Sequence, residues 1–201
     1  NDAALHCWGF ALGYGGIVDE YVPIPVAKPV SSLTARGDVT CFVWDSVAYC
    51  VGSNDYGQCG DNSTVTPSSP VYVIGLSETP SQLATGGYHT CVVTVSQSVF
   101  CWGWNAHGQL GVGPYVSQLL TPQSTPVLTH VLQVATTINS TCVILVNGTV
   151  SCCGGLVGYL SQYDVFTPFG APQYVNNGVS IAAGDAHVCV LLLTGFVVCW
   201  G

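Results

Sequence analysis

Two residues of the 201, Lys28 and Arg36, carry a permanent positive charge. Against 10 acidic side chains they leave a formal net charge of −8. Neutralising a phosphate backbone takes clustered lysine and arginine, so nucleic acid is excluded as a partner. Charged residues of either sign make up 6% of the chain, whereas a soluble monomer normally carries them at roughly a quarter to a third of its surface positions. Something else must cover this surface, and attached glycans or neighbouring protein subunits, other copies of the chain included, are the two physical candidates. Methionine is absent. There is no signal peptide and no apolar run of membrane-spanning length, so no membrane span is expected. The chain opens inside a repeated unit, which predicts that further sequence was removed or that this is part of a longer protein.

Catalytic signatures are missing as well. There is no nucleophile elbow, no glycine-rich loop followed by Lys-Ser/Thr, and no carboxylate pair in a repeated frame. The expectation is a protein that is not an enzyme and needs no cofactor. Helix also lacks support, because no window keeps a helical apolar period while 24 glycines and 11 prolines interrupt the chain.

Cysteine, with 11 copies, is what the chain has in excess. The stretch from Gln82 to Gly113 alternates apolar and small residues on either side of a polar break at Ser96-Gln97-Ser98, the pattern of a β-hairpin. A three-residue loop at Val95-Ser96-Gln97 places Cys91 opposite Cys101, at about 4.5–5.5 Å between Cα atoms, within reach of a disulfide. The unit recurs: a first cysteine at Cys41, Cys91, Cys142 and Cys189, and a second at Cys50, Cys101, Cys152 and Cys199. Successive units are spaced by about 47 to 51 residues, which marks a repeat array. A further Cys-Trp-Gly stands at Cys7-Trp8-Gly9, matching Cys101-Trp102-Gly103 and Cys199-Trp200-Gly201.

Two strings and two lead-ins carry a family likeness. Trp102-Gly103-Trp104-Asn105-Ala106-His107-Gly108-Gln109-Leu110-Gly111, its partner Gly52-Ser53-Asn54-Asp55-Tyr56-Gly57-Gln58-Cys59-Gly60, and the lead-ins Gly86-Gly87-Tyr88-His89-Thr90 and Gly184-Asp185-Ala186-His187-Val188 resemble repeats of the regulator of chromosome condensation family. The pattern is broken at Leu12, where asparagine belongs, at Val39 and Ser140, which replace histidine, and at Cys152-Cys153-Gly154, which lacks tryptophan. The resemblance implies an all-β fold: a β-propeller, or propeller segment, of about four four-stranded blades, here a disulfide-rich secreted variant. Residues 1–201 then form one array, with a partial blade over 1–16 and repeats over about 33–80, 81–131, 132–178 and 179–201. Ile17 to Ser32, with Pro23, Pro25 and Pro29, reads as a connector, because proline cannot donate to a ladder. Val71 to Ile74, Val127 to Val134 and Gln173 to Val175 read as outer or entering strands.

The regular pairing argues for an oxidising compartment, hence a secreted or cell-surface location. Zinc is a poor alternative, since its ligand pairs are usually two to four residues apart and no histidine pair completes a site. The expected bonds are Cys41–Cys50, Cys91–Cys101, Cys142–Cys152 and Cys189–Cys199. A two-residue turn at Asn147-Gly148 would instead set Cys142 opposite Cys153. Cys7, without an upstream partner, and Cys59, in place of the leucine of Gly-Gln-Leu-Gly, are candidates to bond each other. Asn1 to Phe10 is expected to belong to a longer propeller or to complete a blade of a neighbouring polypeptide.

Asn62-Ser63-Thr64, Asn139-Ser140-Thr141 and Asn147-Gly148-Thr149 are N-glycosylation acceptor triplets, and glycans are the expected modification. His89 and His187 read as structural groups that satisfy turn backbone atoms, and Trp8, Trp102 and Trp200 as packing residues more than as a saccharide platform. The leading functional expectation is an extracellular, non-enzymatic scaffold, a structural or adhesive component of a cell-surface or filamentous assembly. The alternatives are a ligand-binding ectodomain of a surface receptor and a secreted hydrolase.

Overall fold

The computed structural model describes residues 4–9, 20–113, 115–123, 126–155 and 175–201, with side chains from residue 30 onward. Among them are fifteen strands and no helix. The first sheet runs β1 (Ala4–Gly9), β2 (Glu20–Arg36), β3 (Val39–Trp44), β4 (Val47–Gly52) and β5 (Val71–Tyr72). The second is β6 (Pro80–Thr85), β7 (His89–Thr94), β8 (Val99–Trp104) and β9 (Gln118–Leu119). The third is β10 (Val131–Thr136), β11 (Ser140–Leu145) and β12 (Val150–Gly154), and the fourth β13 (Gly178–Ala183), β14 (Val188–Leu192) and β15 (Val197–Trp200). Each is an antiparallel blade. The leading strands β2, β6, β10 and β13 pack successively against one another.

Strand alternation sends every second side chain to the same face, and here the two faces meet two different neighbours. Cys91, Val93, Val99 and Cys101 face Val131, Val134 and Val143 of the third blade. Val92, Phe100 and Trp102, one residue out of phase, pack with Val39, Cys41, Val43 and Cys50 of the first. Cys142, Ile144 and Cys152 likewise meet Val188 and Val190 of the fourth. The disulfide of each of the first three blades therefore lies in the core shared with the next blade along the chain.

All four expected disulfides are formed, each with its Cα atoms 4.1 Å apart. The close approach follows from register. Thr94 donates its N–H to Ser98 at 2.9 Å, making that pair hydrogen-bonded. Counting back two by two along the ladder makes Cys91 opposite Cys101 a non-hydrogen-bonded pair, the narrow kind. Turn length sets the cysteine spacing. Asp45 and Ser46, with φ of 49° and 64°, form a two-residue turn that gives a separation of 9. The loops at 95–97, 146–148 and 193–195 have three residues, with Gln97, Gly148 and Gly195 at positive φ, and give separations of 10. Asn147-Gly148 thus belongs to a three-residue loop, and Cys142 pairs with Cys152, not Cys153.

Two expectations are corrected and a third holds in part. Cys59 is a buried, unbonded thiol and makes no bridge to Cys7. Residues 20–32 are not a connector but most of strand β2, which pairs with β1 through register shifts, setting Pro25 opposite His6 and Pro29 opposite Ala4. Proline's φ suits an extended chain, and the irregular register accommodates its missing donors. Val127 to Val134 supplies an entering strand, β10 of the third blade, from Val131 onward, while the outer strand of the second blade is Gln118–Leu119 and Leu128 makes only a bridge to Val99. The fourth strand expected for the third blade, at Gln173 to Val175, falls largely outside the described residues.

The glycines of three Cys-x-Gly triplets, Gly52, Gly103 and Gly154, stand at positive φ at or one residue before the end of their strands. At Gly103 φ is +101°, and an added Cβ would stand 2.6 Å from the Tyr88 carbonyl oxygen and 2.7 Å from His89 Cα. Neither neighbour is a movable side-chain tip. Replacing Gly103 with alanine is expected to cost at least about 2 kcal/mol, from strain plus displaced backbone, read as a lower urea midpoint with an unchanged slope.

Candidate interaction face

The hairpin tips lie at one end of the blades. At the other end two kinds of loop come together: the short turns after the leading strands, and the longer loops after β4 and β8.

The longer loops are built by their own buried amides. In the first, the Asn54 side-chain oxygen accepts from Cys59 N–H at 2.9 Å, while its nitrogen donates to Asp61, Ser63 and Val65. Gln58 accepts from Tyr56 N–H at 2.9 Å. In the second, Asn105 accepts from Leu110 N–H at 2.8 Å and donates to the Gly113 and Val116 carbonyls, and Gln109 accepts from His107 N–H. Both loops fold around asparagine and glutamine because a buried turn must satisfy its backbone locally. Cys59 fills the slot that Leu110 fills in the next blade. Burial, and secondarily the Asp61 carboxylate, push its thiol up to about 12, so it stays protonated and inert.

His89 is fully buried, and its Nε2 lies 2.9 Å from the Thr141 hydroxyl of the next blade. This looks like a base beside a nucleophile, but the protons run the other way. Thr141 donates to the Gln109 carbonyl at 2.8 Å, so it must accept from His89 Nε2–H. Burial, reinforced by the positive charge of Arg36, lowers the imidazole to about 3. His89 is therefore a neutral structural donor, its Nε2–H held by the Thr141 side chain of the neighbouring blade. His187, its repeat equivalent, is exposed.

The short turns surround a cavity of about 300 Å³ lined by Arg36, Gly37, Asp38, Val39, Ser53, Gly87, Tyr88, Ile138 and Asp185. All four blades contribute. Arg36 binds across it, donating to the Ala183 carbonyl at 2.6 Å, the Gly184 carbonyl at 2.8 Å and the Asp185 carboxylate at 3.3 Å. Beside it Tyr56, Tyr88 and Trp104 form a closed triangle with centroid separations of 5.2, 5.4 and 5.5 Å, and His107 stands edge-on to Trp104 at 5.1 Å. No sequence motif had singled out these rings as a group. The tryptophans the sequence did single out divide: Trp102 is fully buried and donates to the Gln58 carbonyl, Trp200 is half-buried, and the side chain of Trp8 lies outside the described residues.

Of the acceptor asparagines, Asn62 and Asn147 are exposed, Asn147 at a hairpin tip with its oxygen held by Thr149 N–H. Asn139 is half-buried with its side-chain oxygen inaccessible to solvent. Cys153 is buried, and its thiol donates to the Gln109 carbonyl at 3.4 Å. Among the described residues no group of three His, Cys, Asp or Glu could hold a metal, and no helix is long and apolar enough to cross a membrane.

The two long loops lie within the stretches that match known repeats. The model of the regulator of chromosome condensation (RCC1) repeat matches residues 45–93 and 97–144, and a second model of the same repeat matches 81–109. The chain belongs to the regulator of chromosome condensation repeat family. It is 30% identical over 187 residues to the secretion-regulating guanine nucleotide exchange factor of Bos taurus, covering 87% of this chain and 38% of that protein. The Prp20p structure from Saccharomyces cerevisiae superposes with a TM-score of 0.82 at 20% identity, over 98% of this chain and 53% of the other. The ectodomain of the Arabidopsis thaliana receptor kinase ACR4 superposes less closely, with a TM-score of 0.53 at 20% identity over 90% and 53%. The chain spans less than half the length of the curated relatives it matches.

A pH experiment isolates the His89 contact. An unfolded histidine takes up its proton near pH 6.5, whereas His89 in the fold resists protonation down to about 3. Its contribution is complete above pH 6.5 and is lost as the pH falls through that window, at about 1.4 kcal/mol per unit. Unfolding at pH 7 and pH 5 should differ by about 2 kcal/mol from this group alone. The His89→Gln variant, which keeps a donor, should show a flatter dependence.

Proposed function

We propose that this chain is an extracellular, non-enzymatic propeller scaffold, secreted or at the cell surface, that binds other proteins as a structural or adhesive component of a surface or filamentous assembly. The observation that carries the reading is the closure of all eight repeat cysteines into four disulfides within blades, a pattern that reducing compartments do not maintain. Its scarcity of charge supports an assembled or glycan-covered surface. Nucleotide exchange, named for the bovine relative, is left with that relative, of which the chain covers 38%. The hydrolase alternative draws nothing from His89, whose neighbour Thr141 has its proton committed to a backbone carbonyl.

A second reading, the ligand-binding ectodomain of a surface receptor, draws support from the likeness in fold to the receptor-kinase ectodomains of Arabidopsis and Physcomitrella patens. Electron microscopy of native material separates the two. Regular polymers are expected for the scaffold, and dispersed single particles with one saturable ligand would sink it in favour of the receptor.

Exposure predicts which acceptor sites carry glycan. Enzymatic deglycosylation in heavy-oxygen water, followed by peptide mass spectrometry, should label Asn62 and Asn147 and leave Asn139 unlabelled, because a bulky group at Asn139 would displace its half-buried turn. Labelling at Asn139 alone would contradict that order.

A further inference from the structure

The triangle of Tyr56, Tyr88 and Trp104 is not core packing. Trp102, two residues from Trp104 on the same strand, is fully buried, while Tyr88 is 42% exposed and Tyr56, Trp104 and His107 are half-buried. The rings come from three separate segments: the loop after β4, the turn between β6 and β7, and the end of β8. Tyr88 also lines the cavity, so the rings and the cavity form one continuous surface.

Its electrostatics select one sign of partner. Asp38 lines the cavity, exposed and with no partner for its carboxylate among the described residues, and Asp185 is 80% exposed although one oxygen meets Arg36. Asp55, next to Tyr56, is exposed as well. The cation that lines the cavity, Arg36, is already committed to two backbone carbonyls and Asp185. Aromatic faces attract cations through their quadrupole, and carboxylates attract them directly, so both parts of the surface favour the same chemistry. A volume of about 300 Å³ lies at the lower end of ligand cavities. It suits an inserted side chain better than a folded module. The steep angles between rings, 66° for Tyr56 and Tyr88 and 88° for Tyr88 and Trp104, leave no broad flat platform of the kind a saccharide ring stacks on.

We propose that the Tyr56–Tyr88–Trp104 triangle, continued into the cavity by Asp38 and Asp185, is the docking surface for a lysine- or arginine-rich peptide segment of a partner protein. This deepens the protein-binding reading above and rests on it.

The test is calorimetric titration of the whole disulfide-bonded chain with a lysine- and arginine-rich dodecapeptide, its glutamate-rich counterpart and a neutral oligosaccharide. The basic peptide is expected to bind, to weaken about tenfold in Trp104→Leu and in Tyr88→Ala, and to weaken a few-fold in Asp38→Asn, which leaves the packing untouched. Affinity should also fall about tenfold between low and physiological salt. Equal binding by wild type and all three variants would reduce the effect to the net charge of the chain and overturn the proposal. So would binding of the oligosaccharide with the same Trp104 dependence, or no binding of the basic peptide at all. Circular dichroism melts confirm that each variant is folded. Microscopy of the same preparations keeps the two claims apart: assemblies that form without binding the peptide overturn this surface alone, and peptide binding by dispersed particles overturns the scaffold alone.

Discussion

The carbonyl of Gln58 accepts two hydrogen bonds from the next blade, from the Thr90 hydroxyl at 2.8 Å and the Trp102 indole at 2.9 Å. Gln109 does the same one repeat later, for the Thr141 hydroxyl at 2.8 Å and the Cys153 thiol at 3.4 Å. The recurring residues of the long loops hold that oxygen in place. The asparagine and glutamine side chains close each loop on itself, so the buried glutamine carbonyl is presented at a fixed height to the adjoining blade. Such a junction is dry, and a low dielectric makes each of these bonds stronger and each missing one costlier. The family motif is thus a device for joining blades, and the reactive-looking side chains within it are occupied by that task.

Because blades are joined face to face, the burial of a residue depends on whether another blade covers it. Val93 and Val99 are buried because the following blade covers them, yet their equivalents Leu191 and Val197 in the fourth blade are exposed. His89 and His187 show the same contrast with the same residue type. The disulfides have a matching logic. A three- or four-stranded sheet that contacts only its neighbours has little core of its own, and a crosslink across its central hairpin stabilises it by roughly 2–3 kcal/mol through the unfolded chain. Stability then resides in each blade as well as in the junctions between blades.

Hairpins, turn lengths and cysteine partners were legible because each depends on residues within about ten positions of one another, and the repeat supplied several readings of one pattern. What failed depended on distance or on context. Pro23, Pro25 and Pro29 signalled a connector, but β1 is close enough in space to pair with that segment despite its missing donors. Cys59 resembled a half-cystine in want of a partner, while its position in the loop makes it a substitute for leucine. Thr141 gave no signal as the acceptor for His89, because 52 residues separate them and only the stacking of blades brings them together.

The proposed interaction face was hidden for a different reason, which the repeat itself discloses. Aligning the units on their cysteines sets Ser53 against Trp104, Asp55 against Ala106, and Tyr56 against His107, while asparagine, glycine and glutamine recur between them. The recurring positions point into the loop and build it. The varying ones point out, and among them are the aromatic cluster and its flanking carboxylate. The cavity obeys the same rule: Gly37-Asp38, Gly87-Tyr88, Ile138-Asn139 and Asp185-Ala186 are equivalent pairs, each placed just before the position that His89 occupies in its own repeat. A motif search keeps what recurs and so discards these positions. In a stack of equivalent blades the fold must be repeated and recognition need not be, so differences between repeats, once the shared scaffold is subtracted, are where the proposed docking surface draws its residues.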